Sequence, residues 1–476
     1  MTLIKSISGI RGTIGGVQGE NLTPVDVVKY AIAYTRFIKK SRGKERIKIV
    51  VGRDARISGQ MVMSLIEGTL IGCGAYVVNV DFCTTPGVEM AVTSHQADGG
   101  IIITASHNPK QWNALKLLNA RGEFLTDEDG KQVLAFAEET NYEFPDIDHI
   151  GRVVARENFN FRHIDMVLAL PLVDVKAVAE KNFKVVVDAV NSVGGTAIPE
   201  LLRRMGCEVI ELNCNPNGQF AHNPEPLPEN LTEISQVIVR EKADLGVVVD
   251  PDVDRLALVC ENGVMFGEEY TLVSIADYVL SKSGGNTVSN LSSSRALRDV
   301  TGWHGGTYYA SAVGEVNVVA KMKEVNAVIG GEGNGGVIYP ELHYGRDALV
   351  GVGLFLTHLA KSGKTMTELR ATYPAYFSSK NKIELTPSID VDAVLLQMKE
   401  RYSHEQVTDI DGVKVDFADK WVHLRKSNTE PIIRIYVEAK SQEDADAIAS
   451  LCWKDDCPII IIVNPLKYFL NMLCRV

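Results

Sequence analysis

Short apolar segments that end abruptly in glycine-rich or charged loops recur along this chain, and they restrict its fold more than any other feature. Such runs occupy residues 47–51, 99–103, 184–188 and 245–249. Segments with helical spacing of apolar residues separate them, for example 58–73 and 231–242. Because strands that alternate with helices form parallel sheets covered by helices, most of the chain is predicted to be α/β.

At 476 residues, the chain exceeds what one hydrophobic core supports, so we expect several domains. Three α/β units of similar rhythm are predicted at 1–150, 151–255 and 256–373. The unit at 374–451 differs, because hairpin-like strands flanked by helices indicate an α+β domain. Residues 452–476 do not continue this pattern and are interpreted as a divergent tail.

Charge and cysteine usage exclude several classes of protein. The net charge of −11 disfavours nucleic acid or an anionic membrane as the main partner, because both attract basic surfaces. The eight cysteines include no C-x-x-C pair, which argues against a zinc site. No basic segment followed by a long apolar core begins the chain, and the run 458–463 is too short to span a bilayer. We therefore expect a cytoplasmic protein.

The segment 99–110 has strand character up to Ile103 and then becomes small and polar, which presents Ser106 at a strand end. A Ser106–His107 catalytic pair is disfavoured, because neighbouring side chains on extended backbone point apart. No G-x-S-x-G turn is present either. His107 and Lys116 are interpreted as charge stabilisers, with an ordinary structural histidine as the alternative for His107.

The segment 250–255 gives the sharpest metal signal, because Asp250, Asp252 and Asp254 recur at every second position. Carboxylates so spaced can converge on a hard cation such as Mg²⁺. An EF-hand is excluded, since Arg255 occupies the position that requires glycine. A solvent-exposed acidic turn is the alternative.

Two further loops carry ligand-binding chemistry. The segment 331–336 fits G-x-G-x-x-G but continues as an extended chain, which argues against a dinucleotide site. Its Glu332 and Asn334 suit sugar hydroxyls, although a flexible hairpin is the alternative. The segment 425–431, with Arg434, combines cations, hydroxyls and a turn into a plausible phosphate cradle, against the alternative of a solvated turn.

These four segments, in this order and one per unit, resemble the α-D-phosphohexomutase superfamily. The stretch 112–116, Glu315 in 313–315 and Asn334 look most like the phosphoglucosamine mutases of archaeal type within it. The resemblance covers about residues 1 to 450. It implies a heart-shaped, four-domain molecule with mixed sheets and a central active-site cleft.

The resemblance also implies the roles of the site residues. Ser106 would be the phosphoserine, and Mg²⁺ would be bound by Asp250, Asp252, Asp254 and a phosphoserine oxygen. Glu332 and Asn334 would bind the sugar. The distal phosphate would be held by Arg425, Ser427, Asn428, Thr429 and Arg434. The catalytic residues near the reacting phosphoryl group would be Arg11, His107, Lys116 and Arg255.

The expected activity is interconversion of a hexose 6-phosphate and 1-phosphate through hexose 1,6-bisphosphate. Glucosamine phosphate is the favoured substrate. Phosphomannomutase or phosphoglucomutase activity is one alternative, and a Mg²⁺-dependent sugar phosphatase or a non-catalytic sugar-phosphate-binding protein are others. A monomer or homodimer with a small-molecule partner is expected.

Overall fold

The computed structural model describes residues 2–6, 9–384, 390–426 and 432–451. These residues form sheets of seven, four, four and five strands, one for each unit of the chain. The first three sheets mix parallel and antiparallel pairs, and the last is antiparallel throughout its described pairs. The predicted class, three α/β units followed by an α+β unit, is confirmed.

The first unit is a seven-stranded sheet in the order β1-β2-β6-β5-β3-β4-β7. Its strands are β1 (Ile4–Ser6), β2 (Gly9–Thr13), β3 (Lys48–Arg53), β4 (Tyr76–Phe82), β5 (Gly99–Ile103), β6 (Trp112–Leu118) and β7 (Arg152–Arg156). Its helices are α1 (Pro24–Arg42), α2 (Gly59–Gly72), α3 (Thr85–Ser94) and α4 (Asp127–Glu138). Helices cover both faces, which explains why the central strands β3 and β5 are apolar on both sides.

Local signals set the helix ends in this unit. Thr23 caps α1 in a reciprocal capping box with Asp26, and Gly43 ends the helix in the left-handed conformation at φ 60°. Thr84 caps α3 by accepting from the Gly87 N–H. The strands β4 and β5 run parallel to β3. The start of α3, which follows β4, therefore lies at the same carboxyl edge of the sheet as the loop that follows β5.

The second unit begins after two helices, α5 (Phe159–Leu168) and α6 (Val175–Lys181). Its sheet has the order β11-β10-β8-β9. The elements are β8 (Lys184–Asp188), α7 (Gly194–Arg204), β9 (Glu208–Leu212), α8 (Thr232–Glu241), β10 (Leu245–Val249) and β11 (Leu256–Cys260). A single 3₁₀ turn, Pro228–Asn230, precedes α8.

The third unit has the sheet order β13-β12-β14-β15. Its elements are α9 (Glu268–Ser283), β12 (Asn286–Asn290), α10 (Ala296–Trp303), β13 (Tyr308–Ser311), α11 (Glu315–Glu324), β14 (Ala327–Glu332), β15 (Gly336–Ile338), α12 (Ala348–Ser362) and α13 (Met366–Arg370).

Two of the expected boundaries differ from the structure. The strand β7 lies beyond 150 but pairs in parallel with β4, so it completes the first sheet. The strand β11 lies beyond 255 but pairs antiparallel with β10, so it belongs to the second sheet. In both places the final strand follows an irregular loop, and only its hydrogen-bonding partner determines which sheet it joins.

The fourth unit has the sheet order β16-β20-β19-β18-β17. Its elements are β16 (Phe377–Glu384), α14 (Val391–Arg401), β17 (Gln406–Thr408), β18 (Val413–Asp416), β19 (Trp421–Lys426), β20 (Ile432–Ala439) and α15 (Gln442–Leu451). The tail predicted at 452–476 lies outside the described residues.

The hydrophobic cores do not correspond one to one with the four units. The second and third units share one continuous core that extends from Ile164 to Tyr373. The first unit has a core on each face of its sheet, and the fourth has a core of its own. No helix within the described residues is long and apolar enough to cross a membrane.

Candidate active site

The loop after β5 presents Ser106 in an unusual backbone conformation. Its φ of 48° lies in the left-handed region, which is rare for residues other than glycine. The Ser106 N–H donates to Thr104 Oγ1 at 2.9 Å. The expectation of extended backbone at Ser106 is therefore wrong, because a tight turn in which the Asn108 N–H donates to the Ala105 carbonyl bends the chain here.

A buried arginine that the sequence reasoning missed holds this serine loop. Arg56 is 1% exposed, and its guanidinium donates to the backbone carbonyls of Ser106, Asn108, Pro109 and Trp112. Its Nε donates to the Asp54 carboxylate at 3.0 Å. The planar five-donor guanidinium suits such a set of convergent acceptors. The charged run after β3 was the available signal, but it does not reveal which loop Arg56 would contact.

The structure brings Ser106 into contact with the aspartate cluster. Ser106 Oγ donates to Asp250 Oδ2 at 2.8 Å. One oxygen from each of Asp250, Asp252 and Asp254 lies within 4.8 Å of the others, and all three side chains are fully buried. This excludes the solvent-exposed acidic turn that was the alternative for this segment.

Contacts from three units hold the aspartate loop. The Thr85 N–H donates to the Asp252 carbonyl at 2.8 Å, Ser192 Oγ donates to the Pro251 carbonyl at 2.7 Å, and the Ala348 N–H donates to the Val253 carbonyl at 3.2 Å. Val253 itself has φ 65°. A β-branched residue in this region costs of the order of 1–3 kcal/mol, so the surrounding contacts must enforce the turn.

The electrostatics of the cluster fit a divalent cation. Burial first, and then Asp252 and Asp254, raise the pKa of Asp250 well above its usual value. Burial opposes ionisation of Asp252 too, but the Lys116 ammonium at 2.7 Å outweighs it and lowers that pKa. Asp252 Oδ1 and Asp254 Oδ1 are buried without a hydrogen-bond donor among the described residues. Buried carboxylate oxygens are rarely left without a partner, and a metal ion would supply one.

Basic side chains surround Ser106 on the side that faces a cavity lined by residues of the first three units. Lys116 on β6 is 5% exposed and also lies 3.4 Å from Asp254 Oδ2. Arg11 on β2 donates to Asn108 Oδ1 at 2.8 Å. Arg255 lies 3.5 Å from Glu225. All three line one cavity with Ser106 and bring positive charge to it.

His107 lies against the serine, with Nδ1 3.4 Å from Ser106 Oγ. Burial, followed by the neighbouring cations Arg255 and Arg11, lowers the pKa of His107 to about 2. The imidazole is therefore neutral near pH 7. It can stabilise a neighbouring charge through a hydrogen bond. It would carry a positive charge of its own only when a bound anion raises its pKa.

The sugar-loop candidates lie across the cavity on the third unit. Glu332 ends β14, and its Oε1 accepts from Asn290 Nδ2 at 2.8 Å and from the Gly314 N–H at 3.2 Å. Asn334 forms the tip of the β14–β15 hairpin, where its Oδ1 accepts from the Gly336 N–H at 3.2 Å. The antiparallel pairing of these strands excludes the strand-to-helix geometry of a dinucleotide site.

Arg346 joins this loop to the aspartate cluster. Its guanidinium donates to Asp254 Oδ2 at 2.7 Å, Glu315 Oε2 at 2.9 Å and Glu332 Oε2 at 2.9 Å. These three carboxylates raise the pKa of Arg346 despite burial that would lower it. Sequence reasoning missed Arg346, although an Arg-Asp pair immediately before an apolar helix was visible as a signal.

One cavity of ≈ 360 Å³ brings together seven of the predicted site residues with Glu315 and Arg346. Its lining includes Arg11, Ser106, His107, Lys116, Arg255, Glu315, Glu332, Asn334 and Arg346. The size and the mixture of charged groups suit a phosphorylated sugar.

The phosphate-cradle candidates lie on the fourth unit and do not line this cavity within the described residues. Arg425 on β19 and Arg434 on β20 are direct cross-strand partners. Arg425 also lies 3.7 Å from Asp411. The candidates Ser427, Asn428 and Thr429 lie outside the described residues.

Family models match each of the four units. Their descriptions are "Phosphoglucomutase/phosphomannomutase", alpha/beta/alpha domain I for residues 4–143, domain II for 162–263, domain III for 267–376 and the C-terminal domain for 382–451.

Curated relatives and solved structures agree with these models. A phosphoglucomutase/phosphomannomutase of Thermococcus kodakarensis is 36% identical, over 91% of this chain and 95% of the relative. A phosphoglucosamine/phosphogalactosamine mutase of Sulfurisphaera tokodaii is 34% identical, over 92% and 97%. The structure of a putative phosphomannomutase from Thermus thermophilus is similar with a TM-score of 0.80 and 27% identity, covering 94% of this chain and 98% of that one. The chain therefore belongs to the phosphoglucomutase/phosphomannomutase family, as its resemblance to the phosphohexomutases predicted.

Proposed function

We propose that this phosphohexomutase carries its phosphoryl group on Ser106 and passes it to a hexose phosphate through a hexose 1,6-bisphosphate. One observation carries the proposal. Ser106 Oγ lies 2.8 Å from Asp250 in a buried carboxylate cluster, and it lines the same cavity as Glu332 and Asn334. A serine, a cation site and sugar-binding groups are the parts that such a transfer needs.

Asp250, Asp252 and Asp254 would hold one Mg²⁺ together with a phosphoserine oxygen. The unpartnered Oδ1 atoms of Asp252 and Asp254 support this assignment. The bound cation would neutralise negative charge on the transferring phosphoryl group. Lys116, Arg11 and Arg255 supply the remaining positive charge around it.

In the first transfer, the bond between phosphorus and Ser106 Oγ breaks and a bond to a substrate hydroxyl oxygen forms. The proton of that hydroxyl ends on Ser106 Oγ. The bisphosphate then reorients in the cavity, so that its other phosphoryl group faces Ser106. That group is transferred to the serine by the reverse step. Burial of Ser106, which is 4% exposed, disfavours attack by water on the phosphoserine.

Arg425 and Arg434 would hold the phosphate that is not reacting. The two residues lie directly opposite each other on neighbouring strands, so one phosphate could accept from both guanidinium groups. Residues 427–429, which follow β19 in the sequence, would add hydroxyl and amide groups to this grip.

Glucosamine phosphate is the proposed substrate. Relatives named as phosphoglucosamine mutases support it, including a probable one from Methanopyrus kandleri at 32% identity over 92% of this chain. Glu315 and Glu332 both line the cavity and share the one guanidinium of Arg346 with Asp254. This excess of carboxylates on the sugar side favours a protonated 2-amino group over a neutral hydroxyl.

Intact-mass analysis tests the phosphoserine. After incubation with hexose 1,6-bisphosphate, we expect one covalent phosphate on the wild type and none on S106A. The matched control S64A removes an exposed serine from α2 and should retain the phosphate. Absence of phosphate from the wild type, or its persistence on S106A, would refute the assignment.

Comparing turnover of glucosamine, glucose and mannose phosphates tests the substrate. We expect the highest kcat/KM for glucosamine phosphate, and a loss of that preference in E315Q. Equal values for the three sugars would remove the amino-sugar assignment but leave the mutase intact. Release of inorganic phosphate in place of isomerisation would instead indicate a phosphatase.

A further inference from the structure

A second cavity, here called the interdomain cavity, lies between the third and fourth units. Its volume is ≈ 410 Å³, and it shares no lining residue with the catalytic cavity. Edge strand β13 of the third sheet and edge strand β17 of the fourth contribute opposite walls. Arg295, which immediately precedes α10, and Arg298 on α10 reach it from one unit, and Lys414 and Asp416 on β18 from the other.

Positive charge in the interdomain cavity exceeds the carboxylates paired with it. Asp416 lies 3.1 Å from Arg295, 3.8 Å from Arg298 and 3.7 Å from Lys414. The nearby Glu438 accepts from the Trp421 Nε1–H and the Arg295 N–H on Oε1, while its Oε2 is buried without a donor, and it forms no ion pair among the described residues. Asp416 is thus the one carboxylate of the described residues that lies within 4.0 Å of all three cations, in a chain whose net charge is −11.

One of these cations has a buried donor without an acceptor. Arg295 is 4% exposed, and its Nε is buried without a hydrogen-bond acceptor among the residues described. Lys414 is 5% exposed, and its Nζ lies 3.7 Å from Asp416 Oδ2 and 4.4 Å above the Trp421 ring, with no hydrogen bond to a described residue. A bound anion would offer an acceptor to both groups.

We propose that the interdomain cavity binds a small phosphate-class oxyanion, either inorganic phosphate or the phosphate group of a monoester. Such an anion offers several acceptor oxygens and the second negative charge that the cluster lacks. Because Arg298 and Lys414 belong to different units, the anion links the third unit to the fourth. It thereby biases the orientation of the unit that carries Arg425 and Arg434.

Equilibrium dialysis with labelled inorganic phosphate tests the proposal on the full-length protein. Arg298 has 39% of its side chain exposed, so R298Q is expected to fold. The control R401Q removes the same charge from an exposed site at the end of α14. We expect R298Q to weaken one class of phosphate sites at least fivefold and R401Q to leave the isotherm unchanged.

Identical isotherms for the wild type, R298Q and R401Q would overturn the proposal. Arg298 lines the interdomain cavity and not the catalytic cavity, so such a result would mean that phosphate binds only elsewhere. K414M provides a second variant, with its fold checked by thermal melting, and it should weaken the same class of sites. Repeating the titration with glucose 6-phosphate distinguishes the source, since tighter binding than inorganic phosphate identifies a monoester. None of these results depends on phosphorylation of Ser106, so failure here leaves the proposed function untouched.

Discussion

Replacing Arg346 tests whether one guanidinium couples the sugar loop to the metal loop. Its three nitrogen atoms donate to Asp254, Glu315 and Glu332 at 2.7–2.9 Å, and the residue is 9% exposed. Removing it leaves three buried carboxylates without their common cation. R346K retains the charge but loses the planar fork that reaches all three partners.

The expected loss follows from the burial of these partners. Breaking a buried ion pair by removing one partner costs about 3–5 kcal/mol. The three contacts form one network, so their losses do not add, and we expect R346M to lose about 3–5 kcal/mol in total. The second and third units share one core of a size for which 1 kcal/mol shifts the melting transition by about 2–4 °C, so the transition of this part should fall by at least about 6 °C. We expect R346K to lose about half as much, since it keeps the charge.

Thermal melting and steady-state kinetics measure the effect together. Glu332 loses its hydrogen bond from Arg346, so KM for the sugar phosphate should rise in both variants. Hydrogen exchange should accelerate in β14 and β15, which flank the sugar loop. The control R240M removes an arginine whose side chain is 68% exposed. It should leave the melting temperature, KM and hydrogen exchange unchanged.

Unchanged melting and KM in R346M would refute the reasoning. That outcome would mean that Asp254, Glu315 and Glu332 do not depend on Arg346 for their charge balance. A fall in melting temperature without a change in KM would confine Arg346 to a structural role.

Three shorter predictions address other parts of the site. Mg²⁺ should raise the melting temperature of the wild type relative to EDTA but not that of D252N, and an equal rise in both would contradict the metal assignment. R56K should lower kcat/KM about 100-fold by misplacing the serine loop, and wild-type kinetics would contradict that role. Burial raises the pKa of Glu89 to about 8; burial opposes protonation of His343, but its hydrogen bond with Asp347 and the Glu89 carboxyl 3.3 Å away raise the pKa of His343 to about 10. Both groups hold protons more tightly when folded, so their stabilisation is complete below their unfolded pKa values and lost as pH rises through about 8 and 10. The melting temperature should therefore fall more between pH 7 and 10 in the wild type than in H343N, and parallel curves would contradict this.

Local patterns in the sequence predicted the elements around the site well. The apolar runs that became β3, β5, β8 and β10 are buried on both faces, and such runs can be recognised without knowing their neighbours. The capping box that Thr23 forms with Asp26 likewise depends on residues within one helical turn. The edge strands β7 and β11 were assigned to the wrong units, because pairing across a sheet is not encoded in their own residues.

The sequence by itself identified four segments with distinctive chemistry: a serine at a strand end, alternating aspartates, a glycine-rich acidic hairpin and the basic segment 425–431. Each is contiguous in the chain, so residue types and spacing were enough to recognise it. Only the tertiary structure decided that Ser106 touches Asp250 from another unit, that Arg56 holds the serine loop and that Arg346 joins three carboxylates. These contacts link residues 50 to 144 positions apart in the first two cases and 14 to 92 in the third. Ser106 meets Asp250, and Arg346 meets Asp254, only when separate units pack together. Arg56 reaches the serine loop because β3 and β5 are neighbours in one sheet, which no local pattern specifies.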